Sequence, residues 1–194
     1  PNKQITTGEG GMIVTDREDI RDMCVSLRNQ GRATEAWLSH ARRGYNYRLS
    51  EINAALGEVQ MQRLDEILAR RRQAADRYNE ALADIEGLHL PSQAGIADAS
   101  WFVYVVRLDD AFSPADRDAI LADLHKAGVS CSNYFVPIHL QPYVQEKLGT
   151  GAGDFPVTER IAARTIALPF FGSLTDEQVG RVRTALTSAL AKRG

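Results

Sequence analysis

The chain has 194 residues, 44% of them hydrophobic, so it can bury a core as one large domain or two small ones. Its 23 basic and 25 acidic side chains leave a formal net charge of −2, which provides no basic field for nucleic acid or an anionic membrane. Cys24 and Cys131 lack the spacing of a zinc cluster or a disulfide framework, and we interpret both as small buried residues of a cytoplasmic protein. No stretch approaches the length of a membrane span, and no signal segment opens the chain. Because Pro1 already lies in loop-like sequence, we expect the natural protein to begin well upstream.

The first predicted elements are a short strand and a helix. Residues 12–15, MIVT, are strand-like and bounded by turn signals. Thr15 and Glu18 have capping-box spacing, and apolar residues then recur at helical spacing, which predicts a helix ending near Gly31. The apolar face of this helix consists of Ile20, Met23, Cys24 and Leu27.

A long loop and a long helix follow. Residues 32–48 show neither the helical nor the strand periodicity of apolar residues, but they carry several aromatic residues, including Trp37. This predicts an ordered loop of a functional or interfacial kind. Ser50 is the predicted N-cap of a helix that can bend at Gly57 and closes at Gly87. Its predicted buried stripe is Ile52, Ala55, Leu56, Val59, Leu64, Ile67 and Leu68.

The last hundred residues alternate strand-like and helical segments, which predicts a small α/β layer domain from about residue 88 to the end. One helix begins at Ser113 and runs to Gly128, and a capping box formed by Thr175 and Gln178 starts another. The predicted strands are WFVYVVRL at 101–108, VSCSNYF at 129–135 and TIALP at 165–169.

Lys3 is the first candidate for chemistry. It precedes the run TTGEGG and is either an ordinary surface charge or a nucleophile held by a loop. Most lysines are solvated surface charges, and spacing alone favours that interpretation. The hydroxyls of Thr6 and Thr7 and the glycine-rich turn add support to the second one, since a lysine becomes a Schiff-base nucleophile when its ammonium is partly desolvated or faces another cation. The GEGG run itself predicts a tight turn rather than a phosphate loop, because no strand precedes it and no Gly-Lys-Ser/Thr follows it.

Two further stretches carry candidate ligand-binding residues. Asn46 and Arg48 stand just before a predicted helix N-terminus, where they could bind an anion or belong to a structural loop packed on its tyrosines. His139, in NYFVPIHLQPY, is either structural or a hydrogen-bond partner for a substrate hydroxyl or phosphate. The remaining histidines form no metal-ligand spacing, so we expect no metal site.

Five stretches together resemble the pyridoxal-phosphate-dependent sugar-nucleotide aminotransferases, the DegT/StrS group of the fold-type I aminotransferases. They are PNKQITTGEGGMIVTD, LRNQGR, GYNYRLSEINAALGEVQ, YFVPIHLQPY and FPVTERIAARTIALPFFGSLTDEQ, in family order. The resemblance implies an α/β fold that is the C-terminal part of a fold-type I PLP-dependent transferase. Residues 1–50 would end the PLP-binding large domain, residues 51–87 would form a long connecting helix, and residues 88–194 would form the small C-terminal α/β domain.

The resemblance also implies roles for individual residues. Lys3 matches the lysine that forms a Schiff base with pyridoxal 5'-phosphate and then carries protons between the cofactor and the sugar carbon. Asn46 matches the asparagine that reaches across a dimer interface to the cofactor phosphate of the partner subunit. Arg48, Tyr134 and His139 lie on segments that line the substrate cleft in the family.

The implied activity is transfer of an amino group from an amino acid, expected to be glutamate, to a keto carbon of a nucleotide-linked deoxysugar. The resemblance also implies a homodimer whose two active sites are shared across the interface. This enzyme would serve surface-polysaccharide, cell-wall or glycoside biosynthesis. Relatives with histidine at the lysine position dehydrate their substrate, so Lys3 favours transamination.

The sequence departs from the family in lacking the half that precedes the lysine. That half should hold the carboxylate that pairs with the pyridinium nitrogen, so we expect the 194-residue chain alone not to be a competent enzyme. Two alternatives remain: a PLP-dependent sugar dehydratase relative, and a non-catalytic partner-binding fragment in which Lys3 is a surface charge.

Overall fold

A computed structural model describes residues 3–32, 39–92 and 99–193; Trp37 lies outside these ranges. The chain divides into an N-terminal unit, Ile5–Leu64, and a C-terminal unit, Asp65–Gly194, which also includes Asn2–Gln4. Lys3 therefore belongs to the C-terminal unit. The predicted division at residues 50 and 87 stays a prediction. Within the described ranges, no helix is both long enough and apolar enough to cross a bilayer.

Helices and strands alternate along the second half of the chain, and the predicted mixed α/β fold is confirmed. The helices are α1 (Glu18–Arg28), α2 (Glu51–Gln62), α3 (Leu64–Leu82), α4 (Pro114–Lys126), α5 (Pro142–Leu148), α6 (Pro156–Ala162) and α7 (Asp176–Leu190), with a 3₁₀ turn at Ile138–Leu140. The strands are β1 (Leu88–His89), β2 (Tyr104–Leu108) and β3 (Thr165–Leu168).

The helix predicted after residue 15 is confirmed as α1, but the predicted capping box is wrong. Arg17 is the N-cap and makes no side-chain cap hydrogen bond. The Thr15 hydroxyl instead accepts a hydrogen bond from the Arg17 N–H at 3.1 Å, which forms a local turn ahead of the helix. Of the predicted apolar face, Ile20, Cys24 and Leu27 are half-buried and Met23 is exposed.

The strand predicted at residues 12–15 is wrong. The segment has no regular secondary structure, and the side chains of Met12, Ile13 and Val14 are largely exposed. A strand needs a neighbour to pair its backbone groups, and the described residues of the N-terminal unit contain no strand to serve as one. Residue type alone therefore does not produce a strand here.

The chain after α1 folds back on itself through a close backbone crossing. Gln30 donates to the Tyr45 carbonyl at 2.8 Å, and Tyr45 donates to the Leu27 carbonyl at 2.7 Å. Gly31 has φ 74°, and a Cβ there would lie 1.8 Å from the Arg42 carbonyl oxygen. Only glycine fits at this crossing, which explains the glycine of the LRNQGR motif.

The long helix predicted from Ser50 is two helices, and the break lies at Arg63, the C-cap of α2, rather than at Gly57. Ser50 is confirmed as the N-cap, since its side chain accepts from the Asn53 N–H at 3.2 Å. The predicted buried stripe is wrong for α2, which has no buried residue; Ile52 is 83% exposed. On α3, Leu64, Ile67 and Leu68 are half-buried, and burial is complete only further along the helix.

The sheet of the C-terminal unit has the order β1-β2-β3, with both pairs antiparallel. Tyr104 faces Leu168 across the β2-β3 pair, and Val106 faces Ile166. Burial alternates along β2, whereas every residue of β3 is buried. The predicted strands at 101–108 and 165–169 are thus confirmed with shorter bounds.

The strand predicted at 129–135 is wrong. Ser132 makes a single antiparallel bridge to Ala167, and pairing stops there. Two residues later the backbone of Tyr134 meets a side chain instead of a strand, because the Thr165 hydroxyl donates to the Tyr134 carbonyl at 3.0 Å and accepts from its N–H at 3.4 Å. The Thr165 hydroxyl thus makes the hydrogen bonds that the backbone of a neighbouring strand would otherwise make to Tyr134.

The core of the C-terminal unit packs α3, α4 and α7 around the sheet. Both predicted helix starts are confirmed, since Ser113 and Thr175 each form a capping box with the residue three positions on. The largest fully buried side chains are Tyr78, Tyr104, Leu82, Leu108, Ile120, Leu124, Ile166, Leu186 and Val106. This core supports the segments that carry the candidate site.

Replacement of Leu124 by alanine should lower the free energy of unfolding by about 2–5 kcal/mol, because it removes a fully buried side chain and leaves a cavity. Chemical denaturation followed by circular dichroism measures the loss. Leu148→Ala is the matched control, since Leu148 is 68% exposed and should change the value by about 0.5 kcal/mol or less. Equal losses in the two variants would contradict this description of the core.

Candidate active site

The Lys3 side chain lies over an aromatic ring of the C-terminal unit. Its Nζ is 4.1 Å from the centroid of the Phe102 ring, within the range of a cation–π contact. The residue is exposed, so the amine is accessible, while its backbone carbonyl accepts a hydrogen bond from Arg71 Nη2 at 2.8 Å. Lys3 is therefore an accessible amine on an anchored backbone, not a lysine on an unattached surface loop.

The glycine-rich run after Lys3 forms the predicted tight turn. Gly8 has φ 84°, and its N–H donates to the Thr6 hydroxyl at 3.0 Å. The Thr7 hydroxyl donates to the Glu9 carbonyl, also at 3.0 Å. Both threonines thus serve the local turn in the N-terminal unit.

A cavity of about 290 Å³ opens beside Phe102, the ring that Lys3 contacts. Tyr134, one of the predicted substrate-binding residues, lines it together with Cys131. Burial raises the pKa of the Cys131 thiol to about 11, so the sulfur is protonated at neutral pH and is a poor nucleophile. The full lining is Phe102, Val103, Ser130, Cys131, Ser132, Tyr134, Ala167, Leu168 and Phe170.

A second, more apolar cavity of about 390 Å³ is lined in part by residues 134–138. Tyr134 lines both cavities and stacks on Phe135 with ring centroids 3.8 Å apart. The remaining lining of the second cavity is Val136, Pro137, Ile138, Val157, Thr158, Ile161 and Ala162. A residue that lines both cavities is well placed to orient a bound molecule.

His139 is buried and paired within the C-terminal unit. Its Nε2 lies 2.9 Å from Glu159 Oε1, and its ring lies 4.7 Å from that of Phe155. Glu159 also accepts hydrogen bonds from the Gly153 N–H at 2.9 Å and from the Phe155 N–H at 3.3 Å. Glu159 therefore joins His139 to the glycine-containing turn before α6, and the predicted contact of His139 with substrate stays a prediction.

Asn46 and Arg48 lie in the N-terminal unit, where both are exposed. Asn46 forms an isolated antiparallel bridge with Asn29, and Arg48 donates to Asn29 Oδ1 at 2.8 Å. The rings of Tyr45 and Tyr47 stack at 4.9 Å between centroids. Asn29 thus connects both predicted residues to the end of α1, and their ligand-binding roles stay predictions.

Arg71, Phe102 and Glu159 contribute to this geometry but were not identified from the sequence. Arg71 sits in a run of three arginines, which is typical of a solvated helix face. A signal was nevertheless present, because the buried residues Ala74, Ala75 and Tyr78 follow at i+3, i+4 and i+7 and place Arg71 on the same helix face. The roles of Phe102 and Glu159 depend on contacts far apart in the chain.

The C-terminal unit thus defines a mixed α/β protein with an anchored, accessible amine next to a cavity lined by aromatic residues. Residues 1–187 match the sequence model of the DegT/DnrJ/EryC1/StrS aminotransferase family. The chain belongs to this family. Its fold is the one seen in sugar aminotransferases of the family, as the resemblance of the five motifs implied.

Individual relatives agree with the family match. The chain is 31% identical over 195 residues to the spore coat polysaccharide biosynthesis protein SpsC of Bacillus subtilis, covering 95% of this chain and 50% of SpsC. It superimposes on the aminotransferase TlmJ of Streptoalloteichus hindustanus with a TM-score of 0.85 and 29% identity, covering 97% of this chain and 49% of TlmJ.

A third relative is Spr1654 of Streptococcus pneumoniae, described as a candidate sugar aminotransferase and solved in a PLP-form. It superimposes with a TM-score of 0.83 and 25% identity over 94% of this chain and 46% of Spr1654. The chain spans about half the length of the curated relatives it matches.

The pair of His139 and Glu159 predicts a pH dependence of stability. The hydrogen bond from His139, and then those from the Gly153 and Phe155 N–H groups, lower the pKa of the Glu159 carboxyl. A carboxyl with a lowered folded-state pKa contributes stability above its unfolded pKa of about 4.3, and that contribution is lost as the pH falls through the folded value. Glu159→Gln should therefore lose less thermal stability than the wild type between about pH 5 and pH 3.

Melting temperatures measured across this pH range test the pair. Glu146→Gln is the control, because Glu146 is exposed on α5 and should follow the wild-type curve. Parallel curves for the wild type and Glu159→Gln would show that the pair does not stabilise the fold.

Proposed function

We propose that the protein is a PLP-dependent aminotransferase that moves an amino group from an amino acid to a keto group of a nucleotide-linked sugar. The observation that carries the proposal is the position of Lys3, whose amine lies over Phe102 beside the cavity that Tyr134 lines. Membership of an aminotransferase family supports it. So does the PLP-form of the relative Spr1654.

The residues around Lys3 fit pyridoxal 5'-phosphate. The accessible amine would hold the cofactor covalently, and Asn46 would bind the phosphate of the cofactor in a partner subunit, as the family resemblance implies. When bound, the cofactor supplies an electron sink for the bond broken at the carbon that carries the amino group.

The protein side chains have separate tasks in this proposal. Once the amino group of the donor takes its place on the cofactor, the freed Lys3 Nζ would accept the proton from the amino-bearing carbon as general base. In the second half of the reaction it would deliver a proton to the sugar carbon as general acid. Tyr134 would orient the sugar, and the family resemblance implies substrate contacts for Arg48 and for His139. The protonated Cys131 thiol, although it lines the cavity, does not compete as a nucleophile.

The finer parts of the proposal are the amino donor, the pathway and the assembly. Glutamate is the expected donor, and the product would enter polysaccharide or glycoside biosynthesis in the cytoplasm; the involvement of the relative SpsC in spore coat polysaccharide biosynthesis supports this pathway. A homodimer would place Asn46 of each subunit at the site of its partner.

Lys3→Ala should lower the rate of amino transfer about 10²- to 10⁴-fold, because the variant lacks the amine that moves the protons. The assay supplies the natural-length protein with pyridoxal phosphate, glutamate and a panel of nucleotide-linked keto sugars, and it detects the aminated product by mass spectrometry. Lys147→Ala is the matched control, since Lys147 is an exposed lysine on α5.

Two results would contradict the proposal. One is a wild-type rate in Lys3→Ala. The other is a wild-type product that has lost water without gaining nitrogen, which would indicate the dehydratase alternative.

A further inference from the structure

The candidate site contains a buried cation for which the proposed chemistry gives no role. Arg71 on α3 is only 7% exposed, although arginine is among the residues least often buried. Burial lowers the pKa of its guanidinium from the ordinary value, yet an arginine remains charged in proteins. A buried charge requires compensating partners, and the positions of those partners indicate what the residue does.

The guanidinium of Arg71 joins two segments that are remote in sequence. Nη2 donates to the Lys3 carbonyl at 2.8 Å. Nη1 makes longer contacts, 3.4 Å each, with the carbonyls of Trp101 and Phe102. The planar fork of the guanidinium thus fixes the backbone of Lys3 next to the backbone of the residue whose ring lies under the lysine amine.

The aromatic cluster behind this contact keeps Arg71 in place. The guanidinium carbon lies 5.8 Å from the centroid of the Phe170 ring. Phe170 and Trp101 each pack against Tyr104, with ring centroids 6.2 Å and 5.7 Å apart. The guanidinium is therefore held by rigid side chains on one side and binds carbonyl oxygens on the other.

A second connection lies one residue further along the chain. Gln4 Nε2 donates to the Ser100 carbonyl at 2.8 Å and also contacts the Ser100 hydroxyl. Residues 3–4 are thus attached to residues 100–102 at two consecutive positions. A lysine amine sits at the end of a flexible four-carbon side chain, so it can be positioned only if the backbone that carries it is fixed.

We infer that Arg71, together with Gln4, positions Lys3 for covalent attachment to the cofactor by fastening the lysine backbone to residues 100–102. This inference rests on the proposed function. Arg71 touches neither cofactor nor substrate in this account and acts through Lys3, so it is a positioning residue. Arg71→Lys would keep the charge but could not span the three carbonyls, because the N–H donors of an ammonium all radiate from one nitrogen whereas those of a guanidinium are spread over a planar fork.

The test measures how fast pyridoxal phosphate becomes attached to Lys3 in the cofactor-stripped, natural-length protein. Aliquots are quenched with borohydride over time, and the pyridoxyl adduct on the Lys3 peptide is quantified by mass spectrometry. Arg71→Lys should slow attachment by roughly tenfold or more, and Gln4→Ala should slow it by a smaller factor. Arg70→Lys is the control and should keep the wild-type rate, because Arg70 is an exposed neighbour paired with Glu66.

A second readout separates positioning from general loss of stability. The pH midpoint of the visible cofactor band should shift in Arg71→Lys and stay unchanged in Arg70→Lys. Because both variants retain a positive charge, a shift reports a displaced lysine amine rather than a changed field. A folded variant that is merely less stable would keep the wild-type midpoint.

The possible results distinguish failure of the positioning role of Arg71 from failure of the proposed function. Wild-type attachment rates and midpoints in both Arg71→Lys and Gln4→Ala would overturn the inference while leaving the proposed function intact. If Arg71→Lys does not fold, as judged by circular dichroism, Gln4→Ala decides by itself, because Gln4 is only half-buried and lies outside the core. A wild-type protein that forms no adduct on Lys3 would overturn the proposed function and this inference together.

Discussion

The hydrogen bond between the Arg71 guanidinium and the Lys3 carbonyl is the contact on which the candidate site depends. It joins the start of the described chain to a helix whose remaining buried face packs into the core of the C-terminal unit. Without this bond, only those of Gln4, among the hydrogen bonds described above, would attach the Lys3 segment to residues 100–102. With it, the amine lies over Phe102, beside a cavity that Tyr134 lines.

The aromatic core explains how this contact can persist. Tyr78 and Tyr104 stack with centroids 4.8 Å apart, and burial raises the pKa of both hydroxyls. Each hydroxyl has a partner, because Tyr78 donates to the Pro169 carbonyl at 2.8 Å and Tyr104 donates to Asn79 Oδ1 at 2.7 Å. These bonds fix α3 against the ends of β2 and β3, so the position of Arg71 on α3 is set by the packing of the whole unit.

Local patterns in the sequence predicted those parts of the fold that depend on local interactions. The helix start at Ser113 was recognisable from the Ser-Pro pair, and the capping box at Thr175 from its three-residue spacing, although the same spacing at Thr15 produced no cap. The strand predicted at residues 12–15 was wrong because a strand also needs a partner, and the predicted burial on α2 was wrong because spacing does not show what covers a helix face.

The same distinction applies to the site. Lys3 was identified through its motif, and its position over Phe102 agrees with a role for its amine. Arg71 was missed because its neighbours in sequence are charged, whereas its partners lie about 30 and 68 residues away. The pairing of His139 with Glu159 spans 20 residues and was likewise invisible to local patterns. The proposed role of Asn46 would depend on a second subunit, which no local pattern specifies.

The most direct test of the central claim is to locate the cofactor attachment in the natural-length protein. The purified protein is incubated with pyridoxal phosphate, reduced with borohydride, digested and mapped by mass spectrometry. This account predicts one dominant pyridoxyl adduct, on Lys3. A dominant adduct on another lysine, such as Lys126, Lys147 or Lys192, or the absence of an adduct on Lys3, would contradict it.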